Sequence, residues 1–322
     1  MDPFARPRVV VSRCLGFAPC RWNGEQVHEE FVDQLAAWVT WHPVCPEMEI
    51  GLGVPRDPVR LVENKGGVRL LQPATGRDCT AEMTAFAQGY LESLPPVDGF
   101  LLKNRSPSCG PLDTKIYSSP KPGASARRGA GLFGGAAVER FPLLAVEHEG
   151  RLHNFILRER WLTRLFTLAE FRQVAASGRM GPLVAFHARH KLLLMAYNQR
   201  RLRLMGPMVA NAEKLPPAQV LAAYAEQLGQ ALARSPSAGA VVNVLMHAAG
   251  YFKKQLNARE KELFAQSLEL YRAKREPLSV AQALLRAWVA RFGSDYLAGQ
   301  SFFAPYPPEL VAITDSGKGR DY

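Results

Sequence analysis

The sequence of 322 residues has no apolar run near the ~18 residues that a membrane-crossing helix needs. Its opening, MDPFARPRVVVSRCLG, lacks the parts of a secretory leader: the apolar stretch is about four residues between Arg8 and Arg13, with no small-residue cleavage site after it. A cytoplasmic protein is the expectation. Cysteine is scarce and odd in number, five in all. With no secretion signal, that argues against a disulfide framework and leaves reduced thiols for burial, metal or catalysis. The C-x2–4-C pairs usual in structural zinc sites are missing. Internal repeats and low-complexity tracts are absent too.

Net charge is missing from one half only. Residues 1–150 carry 16 Lys and Arg against 17 Asp and Glu, while residues 151–322 carry 24 against 12. The whole excess of the +11 chain therefore lies in the second half. A basic half beside a neutral one suggests a polyanion-binding module, nucleic acid foremost, joined to something else. A helix-rich, solvated domain that happens to be basic gives the same numbers.

The first half alternates strand and helix patterns. Arg8–Ser12 (RVVVS), Trp41–Cys45 (WHPVC), Gly99–Lys103 (GFLLK) and Pro142–Val146 read as short strands, Pro43 favouring an edge. Val59–Glu63 and Val68–Leu71 flank Asn64–Gly67, a hairpin turn. Helices are expected over Glu25–Val39, Thr80–Leu94 and Ala126–Val138. The sum is an α/β domain with a mostly parallel sheet over residues 1–149. Residues 150–322 form an all-α domain, with helices over Ile156–Ala176, Pro182–Leu204, Pro216–Arg234, Ala238–Leu256, Ala258–Lys274 and Ser279–Phe292. Phe302–Tyr322 reads as an extended surface tail with a loose end from Gly317.

Cys14 closely follows the first strand, Cys45 ends the second, and Cys109 lies six residues past the GFLLK strand. Ligands of open α/β sheets bind outside the carboxyl ends of strands, so three cysteines there can meet although far apart in sequence. Gly and Pro beside them let the chain bend and aim N–H groups at sulfur. Buried packing thiols and zinc remain alternatives on this pattern. Cys79 opens a helix and reads as a packing thiol, and Cys20 stays open as a fourth ligand.

Ser12-Arg13-Cys14-Leu15-Gly16, Cys20-Arg21-Trp22-Asn23-Gly24, Cys45-Pro46-Glu47, Gly51-Leu52-Gly53-Val54-Pro55-Arg56, Leu102-Lys103 and Ser106-Pro107-Ser108-Cys109-Gly110 together resemble the thiouracil/thiouridine desulfurase (desulfidase) family over roughly residues 6–148. The helical half resembles a domain often fused behind it, in the long form that removes sulfur from 4-thiouridine in tRNA. The resemblance implies a [4Fe-4S] cluster on Cys14, Cys45 and Cys109 with the fourth iron open, and Glu47 and Ser106 as catalytic side chains. Cys20 stands where relatives more often have another residue.

A thiophilic iron can polarise a thiocarbonyl, and a carboxylate two residues from Cys45 can serve as general base or proton shuttle. The alternatives are that Glu47 is a surface carboxylate or a partner for Arg56, and that Ser106 is a turn hydroxyl capping Ser108 or Cys109. Lys103, Arg105, Ser108 and Arg56 are the candidates for holding substrate. In the basic half His187, Arg189, His190, Lys191, Arg200, Arg201, Arg203, Lys253 and Lys254 are the candidate tRNA contacts. Two other functions compete: desulfuration of free thiouracil or other small thioamides, and an RNA-binding protein with a structural or redox-sensing metal.

Overall fold

The computed structural model describes residues 4–312, in two compact units. One runs to Glu170 and takes back the segment from Glu309; the other spans Phe171–Pro308.

The elements of the first unit are β1 (Arg8–Ser12), α1 (Glu30–Leu35), β2 (Thr40–Val44), α2 (Pro46–Glu49), β3 (Arg60–Asn64), β4 (Gly67–Gln72), β5 (Arg77–Asp78), α3 (Thr80–Ser93), β6 (Gly99–Leu102), β7 (Thr114–Tyr117), β8 (Ala126–Gly129), α4 (Leu132–Arg140), β9 (Ala145–His148), α5 (Glu149–Leu152) and α6 (Phe155–Ala176), the last running on past the unit's end. A parallel sheet of order β2-β1-β6-β9 forms its centre. Val9, Val10 and Val11 of β1 are fully buried, worth ~1.5–3 kcal/mol each in transfer from water. β2 is an edge strand, which is where Pro43 costs no ladder bond. Met83, Ala87 and Leu91 form the buried stripe of α3.

A second sheet, of order β5-β4-β3-β7-β8, is absent from the sequence reading. The expected hairpin is there, with Asn64 opposite Gly67, but it belongs to this sheet and not to the parallel one. Two expected helices are corrected. Ala126–Gly129 pairs antiparallel with β7, so a helix starts only at Leu132; strand pairing overrides helix propensity in ARRG. The expected Glu25–Val39 helix shrinks to α1, because the Val27 N–H is committed to the Cys14 carbonyl at 2.8 Å.

The second unit comprises the end of α6, then α7 (Met180–Ala210), α8 (Pro217–Ala231), α9 (Ala238–Ala249), a short 3-10 turn (Gly250–Phe252), α10 (Ala258–Arg272), α11 (Leu278–Phe292) and α12 (Asp295–Ala298). Its core joins Val241, Leu245, Phe252, Phe264, Leu285 and Trp288. α7 is broken at Asn198 (φ −159°, ψ 90°), whose Oδ1 accepts from the Arg201 N–H at 3.0 Å and so caps the following segment. Earlier in α7 the Gln300 side chain enters the ladder: Oε1 accepts from Leu192 N (3.0 Å) and Nε2 donates to Ala188 O (2.8 Å). The surface tail expected from Phe302 is corrected as well. Phe302 and Tyr306 are buried in this unit and Leu310 in the first, since each offers a large apolar side chain. The loose end expected at Gly317–Tyr322 lies outside the described residues. Among the described residues no helix is long and apolar enough to cross a membrane.

Candidate functional site

The order β2-β1-β6 puts three carboxyl ends side by side. Cys45 follows β2, Cys14 follows β1, and the loop Lys103–Asp113 with Cys109 follows β6. The Arg13 N–H donates to Val44 O at 2.8 Å and the Lys103 N–H to Ser12 Oγ at 2.8 Å, which locks the three ends together. Cys45 and Cys109 are buried and Cys14 is half-buried. Cys79 sits in the hydrophobic core beside Met83 and Leu70. Cys20 is buried, its carbonyl 3.9 Å from Cys45 Sγ, and the Cys14 thiol pushes its own thiol up.

Two forces act on the thiols. The contact with Cys20, then burial, pushes the Cys45 thiol up. Burial pushes Cys109 up to about 12. The donors oppose this: the Met48 N–H, at the start of α2, reaches the Cys45 sulfur, and the Ser12 hydroxyl reaches that of Cys109. Such donors favour thiolate and are what a buried metal or cluster ligand needs. Among the described residues no three His, Cys, Asp or Glu converge as ligands of one ion would. Thiolates of a cluster bind separate irons and need no common point. The donor set of three soft sulfurs, two of them buried and supported by an N–H at Cys45 and a hydroxyl at Cys109, therefore fits an iron–sulfur cluster.

Glu47 stands in this pocket, buried on α2. Its Oε1 accepts from Ser108 Oγ at 2.6 Å. Its Oε2 accepts from Arg56 Nε at 2.8 Å and lies 2.6 Å from Nη2. The Arg56 guanidinium is 4 % exposed and also donates to Gly53 O (2.7 Å) and Cys20 O (3.0 Å). Arg56 thus spends its donors inside the protein. Ser106 Oγ lies 3.0 Å from Ser108 Oγ and accepts from the Cys109 N–H at 3.0 Å. Glu47 therefore pairs with Arg56 and Ser106 caps its turn, and the two side chains also belong to one serine–carboxylate chain through Ser108.

The start of α4 clasps the same loop. The Leu132 and Gly134 N–H groups donate to Pro107 O (3.2 Å) and Ser108 O (2.9 Å). Gly131 permits this: a Cβ there would sit 2.5 Å from Ser108 O. Lys103 is ion-paired with Glu149 and bonded to Asn104. The Arg105 side chain is exposed, its backbone held at φ +54° by a bond from its N–H to Asp113 Oδ1 (2.9 Å).

Glu149 and Asp113 are the supports that sequence reasoning missed. Glu149 Oε2 accepts from the Asn104 N–H at 2.8 Å and fixes the loop's first residues. Its signal was a carboxylate directly after a parallel strand. His148, at the β9 end, is 3.9 Å from Asp113, and its buried Nδ1 has no partner among the described residues; burial lowers its pKa.

The basic candidates of the helical unit divide. His190 is buried against Ser301 Oγ (2.8 Å), and His187 Nδ1 meets the Tyr224 hydroxyl (3.0 Å). Both are packing histidines here. Arg201 is half-buried and donates to Gln227 (2.8 Å), and Arg189 is half-buried. Lys191, Arg200, Arg203, Lys253 and Lys254 are exposed.

The first unit is thus an α/β domain that gathers thiols and a carboxylate at the carboxyl ends of a parallel sheet, and the second is helical. Residues 9–149 match the family model described as 2-thiouracil desulfurase, and residues 191–307 match one described as a protein of unknown function (DUF1722). The uncharacterized protein YbgA of Escherichia coli (strain K12) is 30 % identical over 161 residues, 48 % of this chain and 93 % of that one. The uncharacterized protein YbbK of Bacillus subtilis (strain 168) is 31 % identical over 110 residues, 32 % of this chain and 72 % of that one. A solved structure, the 4Fe-4S-dependent thiouracil desulfidase TudS, is 29 % identical, with 46 % of this chain and 93 % of that one covered and a TM-score of 0.36. The chain belongs to the 2-thiouracil desulfurase family, in a form with a helical unit behind the desulfurase domain.

Proposed function

We propose that this chain removes sulfur from 4-thiouridine in tRNA, exchanging the C4 thiocarbonyl for a carbonyl to give uridine and sulfide. The observation that carries it is the buried chain Arg56–Glu47–Ser108–Ser106 set against the thiols of Cys45 and Cys109. Cys14, Cys45 and Cys109 would hold a 4Fe-4S cluster, which when bound supplies a thiophilic Lewis acid for the substrate sulfur. Glu47, aimed by Arg56 and Ser108, takes a proton from the attacking water. Ser106, turned toward Ser108, hands a proton to or from the base edge. Water enters and hydrogen sulfide leaves, so no electron is transferred.

The 24 basic residues of the second half support tRNA as the substrate form. Exposed Lys191, Arg200, Arg203, Lys253 and Lys254 are the phosphate contacts of this reading. The base is unstacked to enter a pocket built on strand ends. The family description, which names 2-thiouracil, favours free thiobases as a second reading. Anaerobic reconstitution followed by nucleoside analysis of treated tRNA, with free thiouracil in parallel, separates the two. Loss of 4-thiouridine with sulfide release is expected. Turnover of thiouracil with tRNA untouched would sink the tRNA reading.

A further inference from the structure

Two tyrosines of the helical unit form a surface pair that the thiol chemistry does not use: Tyr251, in the 3-10 turn after α9, and Tyr296, on α12. Their rings stack with centroids 5.5 Å apart and planes 20° from parallel. Tyr296 thus covers one face of Tyr251, yet Tyr251 is 54 % exposed, so its other face is open to solvent. The next residue behaves in the opposite way. Phe252 is buried in the core, its ring centroid 5.7 Å from that of Phe292. Tyr296 itself is half-buried.

The surroundings of the open ring are cationic. Helical spacing puts His247 one turn before Tyr251 on the same side, and the i, i+3 eclipse of a tight turn puts Lys254 there from the other direction. His247, Lys253 and Lys254 are all exposed. The chain has no Asp or Glu between Glu226 and Glu260. The whole of Phe171–Pro308 carries 18 Lys and Arg against 7 Asp and Glu. Asp295 adjoins Tyr296, the covered partner, in the chain. An open aromatic face flanked by cations matches a planar ring that has negative charge on either side of it, which is an unpaired nucleotide with its phosphates.

We propose that Tyr251, backed by Tyr296, is a stacking platform for one unpaired base of a bound RNA, with Lys253 and Lys254 on the flanking phosphates. The proposal deepens the tRNA reading above and rests on it. Tyr296 holds the Tyr251 ring in place beforehand, so less side-chain freedom is lost when a base lies against it. The base is gripped by its face and not its edge, and the phosphates by charge alone, so the platform binds without reading sequence.

The test measures binding of the reconstituted full chain to a tRNA transcript without modified bases, so that no turnover accompanies binding. Wild type, Tyr251→Ala, Tyr251→Leu and Tyr251→Phe are titrated over a series of salt concentrations. Tyr251→Ala and Tyr251→Leu should each raise Kd about tenfold at every salt concentration and leave the log–log salt slope unchanged, while Tyr251→Phe stays within about threefold of wild type. Leucine keeps apolar bulk against Tyr296 without a π face, so it separates stacking from packing, and thermal melts verify that the helical unit stays folded. A Tyr251→Leu chain that binds like the wild type overturns the platform, as does a loss that Tyr251→Phe fails to rescue or that comes with a flatter salt slope; each leaves the tRNA reading standing. A wild type that does not bind the transcript overturns the tRNA reading, and the platform with it.

Discussion

Replacing Arg56 by Met removes a guanidinium that holds three parts of the site at once. The side chain is buried, and it bonds Glu47, Gly53 O and Cys20 O. Met fills a similar volume without a charge, so the Glu47 carboxylate stays buried with Ser108 as its remaining bonded partner. Breaking a buried pair from one side costs ~3–5 kcal/mol. With a urea slope of about 2 kcal/mol per molar, a 3 kcal/mol loss shifts the midpoint by roughly 1.5 M. Urea unfolding of the apoprotein, followed by Trp fluorescence in a Trp288→Phe background, reads this, because Trp288 is the tryptophan of the other unit. A Glu47→Met/Arg56→Met double variant removes both charges and should recover most of the midpoint. Arg56→Lys keeps the charge but loses the fork, so it falls between. In the reconstituted enzyme, Arg56→Lys should lower kcat by about 100-fold through misplacement of Glu47. A midpoint shift under ~0.5 M for Arg56→Met, with no recovery in the double variant, would refute the argument that Arg56 positions Glu47.

Ser108→Ala strips Glu47 Oε1 of its buried donor, so the first unit should lose ~1–3 kcal/mol in the same urea assay and turnover should fall with it; unchanged stability and turnover would remove Ser108 from the site. Gly131→Ala drives a methyl into the Ser108 and Pro107 carbonyls at an ordinary φ of −69°; collision alone should cost ~1–3 kcal/mol and lower iron retained per chain after desalting, and full retention would count against the clasp. Burial depresses the His148 pKa below its ordinary 6.5, so the unfolded chain binds the proton more tightly. Its contribution is complete above pH 6.5 and is lost as pH falls toward the folded value; urea midpoints from pH 7 to 5 should fall less in His148→Gln than in the wild type, and parallel curves would contradict this. Gln300→Leu strands Leu192 N and Ala188 O inside α7 at about 1–3 kcal/mol each, readable as a lower Tm of the helical unit. Lys253→Glu/Lys254→Glu should weaken tRNA binding and flatten its log–log salt slope by about one per lost phosphate contact; an unchanged slope would take these lysines off the interface.

The thiol pocket was legible in the sequence because its cause is local. A buried strand such as RVVVS announces its own end, and Cys14, Cys45 and Cys109 each follow one. The helical half was legible for the same reason: apolar stripes and Pro or Gly breaks fix Ala258–Arg272 and Leu278–Phe292 almost to the residue. The carboxyl ends themselves meet because tertiary pairing placed β2, β1 and β6 as neighbours. Strand pairing also overruled local preference. ARRG of Ala126–Gly129 is a strand because β7 offers it a ladder, and no pattern within those four residues says so. The exposure of charged side chains was the other decision left to tertiary structure. Arg56 turned inward to Glu47, Lys103 to Glu149, and His190 to Ser301, because burial compels a charge or ring nitrogen to find a partner. The partners of Lys103 and His190 lie 46 and 111 residues away in the chain, beyond the reach of any local pattern, whereas the Glu47–Arg56 pair was within it. Sequence named the sulfur atoms and the candidate carboxylate and serines; the packing of distant segments decided which of them hydrogen-bond to one another.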